Sequence, residues 1–149
     1  MNQPSLFDVP RGGSAIANID GGSRGNPGPA GYGVRIEQSD GTILELKEFL
    51  GSCTNNIAEY SGLIAALRWA AEHAVSELRV RSDSELLVKQ MRGEYRVKNP
   101  GLLPLYEDAR ALIRKVGGVT FEHVRREFNQ DADRLANEAM DEGVSHGSP

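Results

Sequence analysis

Four acidic residues, Asp20, Glu59, Asp83 and Asp133, stand where a fold could gather them for chemistry. Read from the local pattern, Asp20 closes a strand and Glu59 sits in the first turn of a helix. Asp83 closes a strand ahead of a helix, and Asp133 lies near the start of the last helix. Strand ends and helix starts are where an α/β fold places its site, because side chains there leave the packed interior yet stay on rigid elements. The partial positive charge of a helix start also keeps nearby acids ionised. Several ionised carboxylates in one place repel and raise one another's pKa, so such a cluster implies a cation. Hard oxygen donors select Mg²⁺ or Mn²⁺ over zinc. The chain holds 21 acids, and spacing alone fits four unrelated surface carboxylates as readily as one cluster.

The elements that would position these acids can be read along the chain. Residues 15–20 (AIANID) form a short apolar strand, and the next thirteen, GGSRGNPGPAGYG, carry six glycines and two prolines, which forbid a helix and predict a turn. Residues 32–37 and 42–50 read as strands joined by a tight Asp-Gly turn at Asp40 and Gly41. Ile57, Tyr60, Ile64, Leu67 and Ala71 then recur at steps of 3 and 4, one apolar helical face that Asn55 or Asn56 can cap. A strand over 77–82, a short helix over 84–92 ended by Gly93, a longer helix over 102–116 and a strand over 119–124 follow. Phe128, Ala132, Leu135 and Ala139 define a last helix, with Asn129 as its expected cap. The order βββαβααβα predicts an α/β fold with a mixed sheet and helices on both faces. Residues 1–14 read as a flexible tail, 15–142 as the domain and 143–149 as a disordered polar tail.

Composition narrows the function classes. A chain of 149 residues suits one domain, and 39% hydrophobic with 26% charged residues is ordinary for a globular protein. A single cysteine, Cys53, excludes an internal disulfide and reads as a small buried residue at a strand end. No basic start precedes an apolar run and no stretch of 18 apolar residues occurs, so neither a secretory signal nor a membrane span is expected, and the expected location is cytoplasmic. A net charge of −4 disfavours indiscriminate polyanion binding, so any nucleic-acid role needs a local basic patch.

Four words surround the acids: IDGGSRGNPGPAGYG at 19–33, TNNIAEY at 54–60, RSDSELLVKQ at 81–90 and NQDADRLAN at 129–137. In order and spacing they resemble type 1 ribonuclease H, over about residues 16–141. The resemblance implies a ribonuclease H-like fold with a five-stranded mixed sheet. It implies an endonuclease that hydrolyses the RNA strand of RNA/DNA hybrids, leaving 5′-phosphate and 3′-hydroxyl ends. Its metal-binding and catalytic acids fall on Asp20, Glu59, Asp83 and Asp133. They would hold two Mg²⁺ ions, or Mn²⁺, about 3.5–4 Å apart, one lowering the pKa of the attacking water and the other stabilising the leaving oxygen. Asp20 would bridge the pair, with Asp83 and Glu59 on one side and Asp133 on the other. Asn26, Asn55 and Asn56 match positions that contact the hybrid in its minor groove, and Thr54 and Asn99 match positions that hold a DNA phosphate. Simple helix capping remains open for Asn55 and Asn56.

Three departures modify that expectation. The stretch MRGEYRVKNPG stands where many members carry a basic handle rich in lysine and tryptophan, which resembles the handle-less branch. Arg92, Arg96 and Lys98 would form a reduced patch, or a solvated loop, and Trp69 belongs to the core. The loop that often carries a histidine reads Arg125-Arg126-Glu127, where an arginine could steady the departing phosphate without shuttling protons. His123, two residues earlier on a strand, reads as structural, and Glu85 replaces a glutamine that often reads base edges. A non-catalytic hybrid-binding module of the same fold is the competing reading.

Gln3-Pro4-Ser5-Leu6-Phe7 is similar to the short peptides by which bacterial replication and repair proteins dock on the DNA sliding clamp. Gln3, Leu6 and Phe7 would make that contact, unless Leu6 and Phe7 anchor on this domain itself. A monomer is expected.

Overall fold

The computed structural model describes residues 13–147. Its elements run β1 (Ser14–Ser23), β2 (Gly28–Gln38), β3 (Ile43–Cys53), α1 (Asn55–Glu72), β4 (Glu77–Ser82), α2 (Glu85–Met91), α3 (Leu103–Val116), β5 (Gly118–His123) and α4 (Gln130–Gly147), with a 3-10 turn at Arg126–Phe128 before α4. This is the expected order. The strands form one sheet in the order β3-β2-β1-β4-β5. β1 pairs antiparallel with β2 and parallel with β4, while β5 joins parallel to β4.

The glycine-rich segment departs from its sequence reading. β1 runs on through Ser23 and β2 begins at Gly28, so only residues 24–27 turn, and Asp20 lies inside β1 rather than at its end. The reason is the closeness of the helices. A Cβ on Gly21 would stand 2.5 Å from Glu59 N on α1, and one on Gly33 would stand 2.6 Å from Ala136 N on α4. The glycines therefore let two helices press onto a strand pair from opposite faces, which a side chain at either position would prevent.

Both faces contribute to the interior. Ala17, Ile19, Val34, Ile36, Tyr60, Leu63, Leu67, Leu78 and Val80 are almost inaccessible, and Trp69 is buried as expected, stacked on His73 at 4.7 Å. Cys53 closes β3 but is half-buried rather than buried. α4 extends to Gly147, five residues beyond the boundary expected at 142. Phe49 of β3 packs against Gly143, giving the added turn a partner that local polarity does not reveal. Ser14 belongs to β1, and the peptide containing Gln3, Leu6 and Phe7 lies outside the described residues.

Candidate metal centre

The parallel register of β1 and β4 sets Ile19 beside Ser82, so Asp20 and Asp83 follow side by side. Glu59 approaches them from α1. That helix begins at Asn55, which puts Glu59 in its second turn, not its first. Asp133 lies in the first turn of α4, where the helix start favours a negative charge. One carboxylate oxygen from each of Asp20, Glu59 and Asp83 lies within 4.8 Å of the other two. Asp133 stands outside that set of three but lines the same groove, a cavity of about 340 Å³ that also takes in Asn55, Arg126, Asn137 and Arg24.

The acids strain against one another. Burial pushes the Asp20 carboxyl up to about 8, helped by the charge of Asp83 and by a hydrogen bond and charge from Asp133, with only the Gly21 backbone opposing. Burial and Asp83 raise Glu59 to about 7, against a hydrogen bond from Ser84. Asp83 is also raised, first by burial, while Arg126 and Asn129 pull it back. The Arg126 Nε stands 4.0 Å from Asp83 Oδ2 on a side chain 87% exposed, so water screens most of its effect. Three crowded oxygen donors without a matched internal cation fit a hard divalent metal ion.

A buried amide pair holds the acids in place. Asn129, which in the sequence reads as the cap of the last helix, is almost fully buried with its side chain turned toward β1. Its Nδ2 donates to Ile19 O at 2.9 Å, next to Asp20, and its Oδ1 accepts from Asn18 Nδ2 at 3.0 Å. Its own carbonyl accepts from Asp133 N at 3.1 Å, and its side-chain amide favours the charged form of Asp83. One residue thus ties together the segments that carry Asp20 and Asp133 and acts on the charge of Asp83. On the opposite side, Asn55 Oδ1 accepts from Ser23 N at 2.7 Å and Asn26 Oδ1 accepts from Asn55 N at 3.1 Å, latching the β1–β2 turn to α1. That occupies Asn55, so Thr54 caps α1 instead, its Oγ1 accepting from Ile57 N at 3.2 Å.

The model of a family described as reverse transcriptase-like matches residues 18–139. A ribonuclease HI of Halobacterium salinarum is 43% identical over 133 residues, covering 89% of this chain and 67% of that protein. The chain belongs to the ribonuclease H family. A bifunctional protein of Mycobacterium tuberculosis is 50% identical over 128 residues, 85% of this chain but only 35% of that longer protein. The solved N-terminal ribonuclease H domain of a Mycobacterium tuberculosis protein superposes with a TM-score of 0.86 at 47% identity, covering 91% of this chain and 99% of that one. The LC11 ribonuclease H1, solved in complex with an RNA/DNA hybrid, gives 0.81 at 42% identity, with 87% and 99% covered.

The other sequence-expected residues divide. Arg126 enters the acid groove, whereas Arg125 does not line it. Asn26 sits at the latch beside the groove, and Asn56 follows in the first turn of α1. Asn99 lies in the loop before α3, where its Oδ1 accepts from Gly101 N at 2.8 Å, and it does not line the groove. α2 and α3 are joined by residues 92–102 with no further helix. Within that loop Arg92 is committed to structure, donating from Nη2 to Phe121 O at 2.6 Å, which leaves Arg96 and Lys98 exposed as the remaining cations. His123 is exposed at the end of β5, and Glu85 pairs with Lys89 at 3.4 Å. Sequence reasoning assigns no functional role to Asn18, Asn129 or Arg24. Arg24 does carry a signal, a lone charge in a segment otherwise built from small and turn-forming residues.

Proposed function

We propose that this chain is a metal-dependent endonuclease that hydrolyses the RNA strand of RNA/DNA hybrids, leaving 5′-phosphate and 3′-hydroxyl ends. The observation that carries the reading is the convergence of Asp20, Glu59 and Asp83 within 4.8 Å, with Asp133 in the same groove. Two Mg²⁺ ions, replaceable by Mn²⁺, would supply an activated water and stabilise the departing oxygen. The four acids would hold them. Asn26, Asn55 and Asn56 recognise 2′-hydroxyls and base edges from the minor-groove side, a mode that demands shape rather than base sequence. Thr54 and Asn99 contact the DNA backbone. Arg126 steadies the phosphate being released; because it stays protonated, it carries no proton. Without a basic handle, binding relies on few phosphate contacts and weakens with salt.

The chain acts on its substrate as a monomer. Labelled hybrid incubated with purified protein and Mg²⁺ or Mn²⁺ is cut by the wild type, while Asp83→Asn cuts at least about a hundredfold more slowly. Hybrid bound but left intact by the wild type in both metals would replace this reading with a non-catalytic binding module.

Gln3, Leu6 and Phe7 dock the protein on a bacterial sliding clamp, which raises the local concentration of enzyme on DNA. The support is the apolar Leu6-Phe7 pair after a polar Gln-Pro-Ser start. Immobilised clamp is expected to retain the wild type and lose Leu6→Ala/Phe7→Ala; equal retention of both removes the docking role.

A further inference from the structure

The groove that holds the acids continues along α4, and Arg24 stands at its far end in the turn between β1 and β2. Its backbone is fixed, the N–H donating to Pro29 O at 2.8 Å. Its guanidinium reaches across to α4. There Nη1 lies 2.6 Å from Asp141 Oδ1, and Nη2 lies 3.3 Å from Asn137 Oδ1 and 3.4 Å from Asn137 O. These contacts use the two terminal nitrogens and leave Nε without a partner among the described residues, on a side chain 42% exposed.

A guanidinium carries five N–H donors in a planar fork that suits phosphate oxygens, so an arginine already aimed by two partners can accept a third on its open edge. Aiming reduces the rotamer entropy lost on binding. The placement also matters electrostatically. A polyanionic strand entering a groove of carboxylates is repelled, and two arginines line this groove. Arg126 flanks Asp20 from the β4 side and Arg24 from the β2 side.

The geometry points to Arg24 as a second phosphate contact on the strand being cut, beyond the phosphate at the acids, with Asp141 and Asn137 as positioning residues. This rests on the hybrid-nuclease reading above. Arg24 acts on binding of the ground state and leaves the bond-breaking step to the acids, so its removal appears in KM and in salt sensitivity.

The test uses the full chain and a short synthetic RNA/DNA hybrid, with steady-state cleavage and fluorescence-anisotropy titration run across a salt series. Anisotropy with Ca²⁺ in place of Mg²⁺ reads the contact without turnover. Arg24→Ala is expected to raise KM and Kd about five- to tenfold and to reduce the slope of log K against log salt by about one. Arg24→Lys keeps the charge without the fork, and is expected to restore the slope but only part of the affinity. Arg134→Ala is the charge-matched control: it removes one positive charge and the 2.6 Å ion pair between α4 and Glu45 of β3, at a residue that does not line the groove. It is expected to keep the wild-type KM and slope. The proposal is overturned if Arg24→Ala, folded by its melting curve, keeps the wild-type KM, Kd and slope, or if Arg134→Ala moves them equally. A wild type that binds hybrid without cutting it sinks the nuclease reading instead, and the titration alone then decides the Arg24 contact.

Discussion

Asp20→Asn is expected to abolish hybrid cleavage, by at least about a thousandfold in kcat, and at the same time to raise the melting temperature of the metal-free protein at pH 8. The two effects share one cause. Three decades in rate correspond to about 4 kcal/mol of lost barrier reduction, a size expected when a metal ligand at the centre of the site becomes a neutral amide. The stability effect follows from the sign of the pKa shift. Asp20 titrates from 3.8 in the unfolded chain up to about 8 in the folded one, so the folded state holds the proton more tightly. Its contribution to stability is complete below about pH 4 and is lost as pH rises through 8. Glu59 acts in the same sense between 4.5 and about 7. The metal-free wild type should therefore soften steadily from pH 4 to pH 8, and a divalent ion, taking the place of the protons, should restore it most at the upper end. With roughly 2 kcal/mol at stake, the melting temperature at pH 8 should rise by about 4–8 °C on adding Mg²⁺, and by less at pH 5. Asp20→Asn should start higher without metal at pH 8 and respond less to it. Thermal melts in EDTA and in Mg²⁺ at both pH values check this. A wild type indifferent to pH and metal would show that the three carboxylates do not confront one another in solution.

The parts of this fold that local chemistry controls are legible in the amino-acid sequence. Alternation and helical spacing place nine elements in the right order, since Ile57, Tyr60, Ile64 and Leu67 have one way to share a face. Spacing alone does not separate the four acids from the other seventeen, and the words around them carry both the acids and the family. The features that stay hidden depend on partners distant along the chain. Asn55 looks like a helix cap, but the Ser23 backbone N–H, 32 residues away, claims its side chain, and Thr54 caps instead. Asn129 looks like another cap, yet its acceptor oxygen serves Asn18, 111 residues away. The glycines after Asp20 look like a loop because their purpose, the close approach of α1 and α4, lies in elements far along the chain. Arg125 and Arg126 are indistinguishable as types, and only the 3-10 turn that starts at Arg126 decides which one faces the groove.

The Asn129 network leads to the other large effect. Asn129→Ala is expected to cost about 3 kcal/mol of stability, lowering the melting temperature by roughly 6–12 °C. The truncation leaves Ile19 O without its donor at 2.9 Å and Asn18 Nδ2 without its acceptor at 3.0 Å, both in the buried interior. An unsatisfied buried polar group costs about 1–3 kcal/mol, and the weak 3.4 Å contact from Asn18 to Phe128 O replaces little of that. The loss would also reach function, because the same side chain holds β1 beside Asp20, its amide favours the charged form of Asp83, and its backbone anchors Asp133. At temperatures where the variant is still folded, kcat should fall at least about tenfold, and the Mg²⁺ concentration for half-maximal activity should rise, since loosely held ligands bind metal less well. Gln130→Ala, an exposed change one residue on, separates the buried amide from helix propensity and should melt and cut like the wild type. If Asn129→Ala instead melts with the wild type and keeps its metal requirement, the acids are positioned by strand register and glycine contacts alone, and the amide pair merely fills space between β1 and the start of α4.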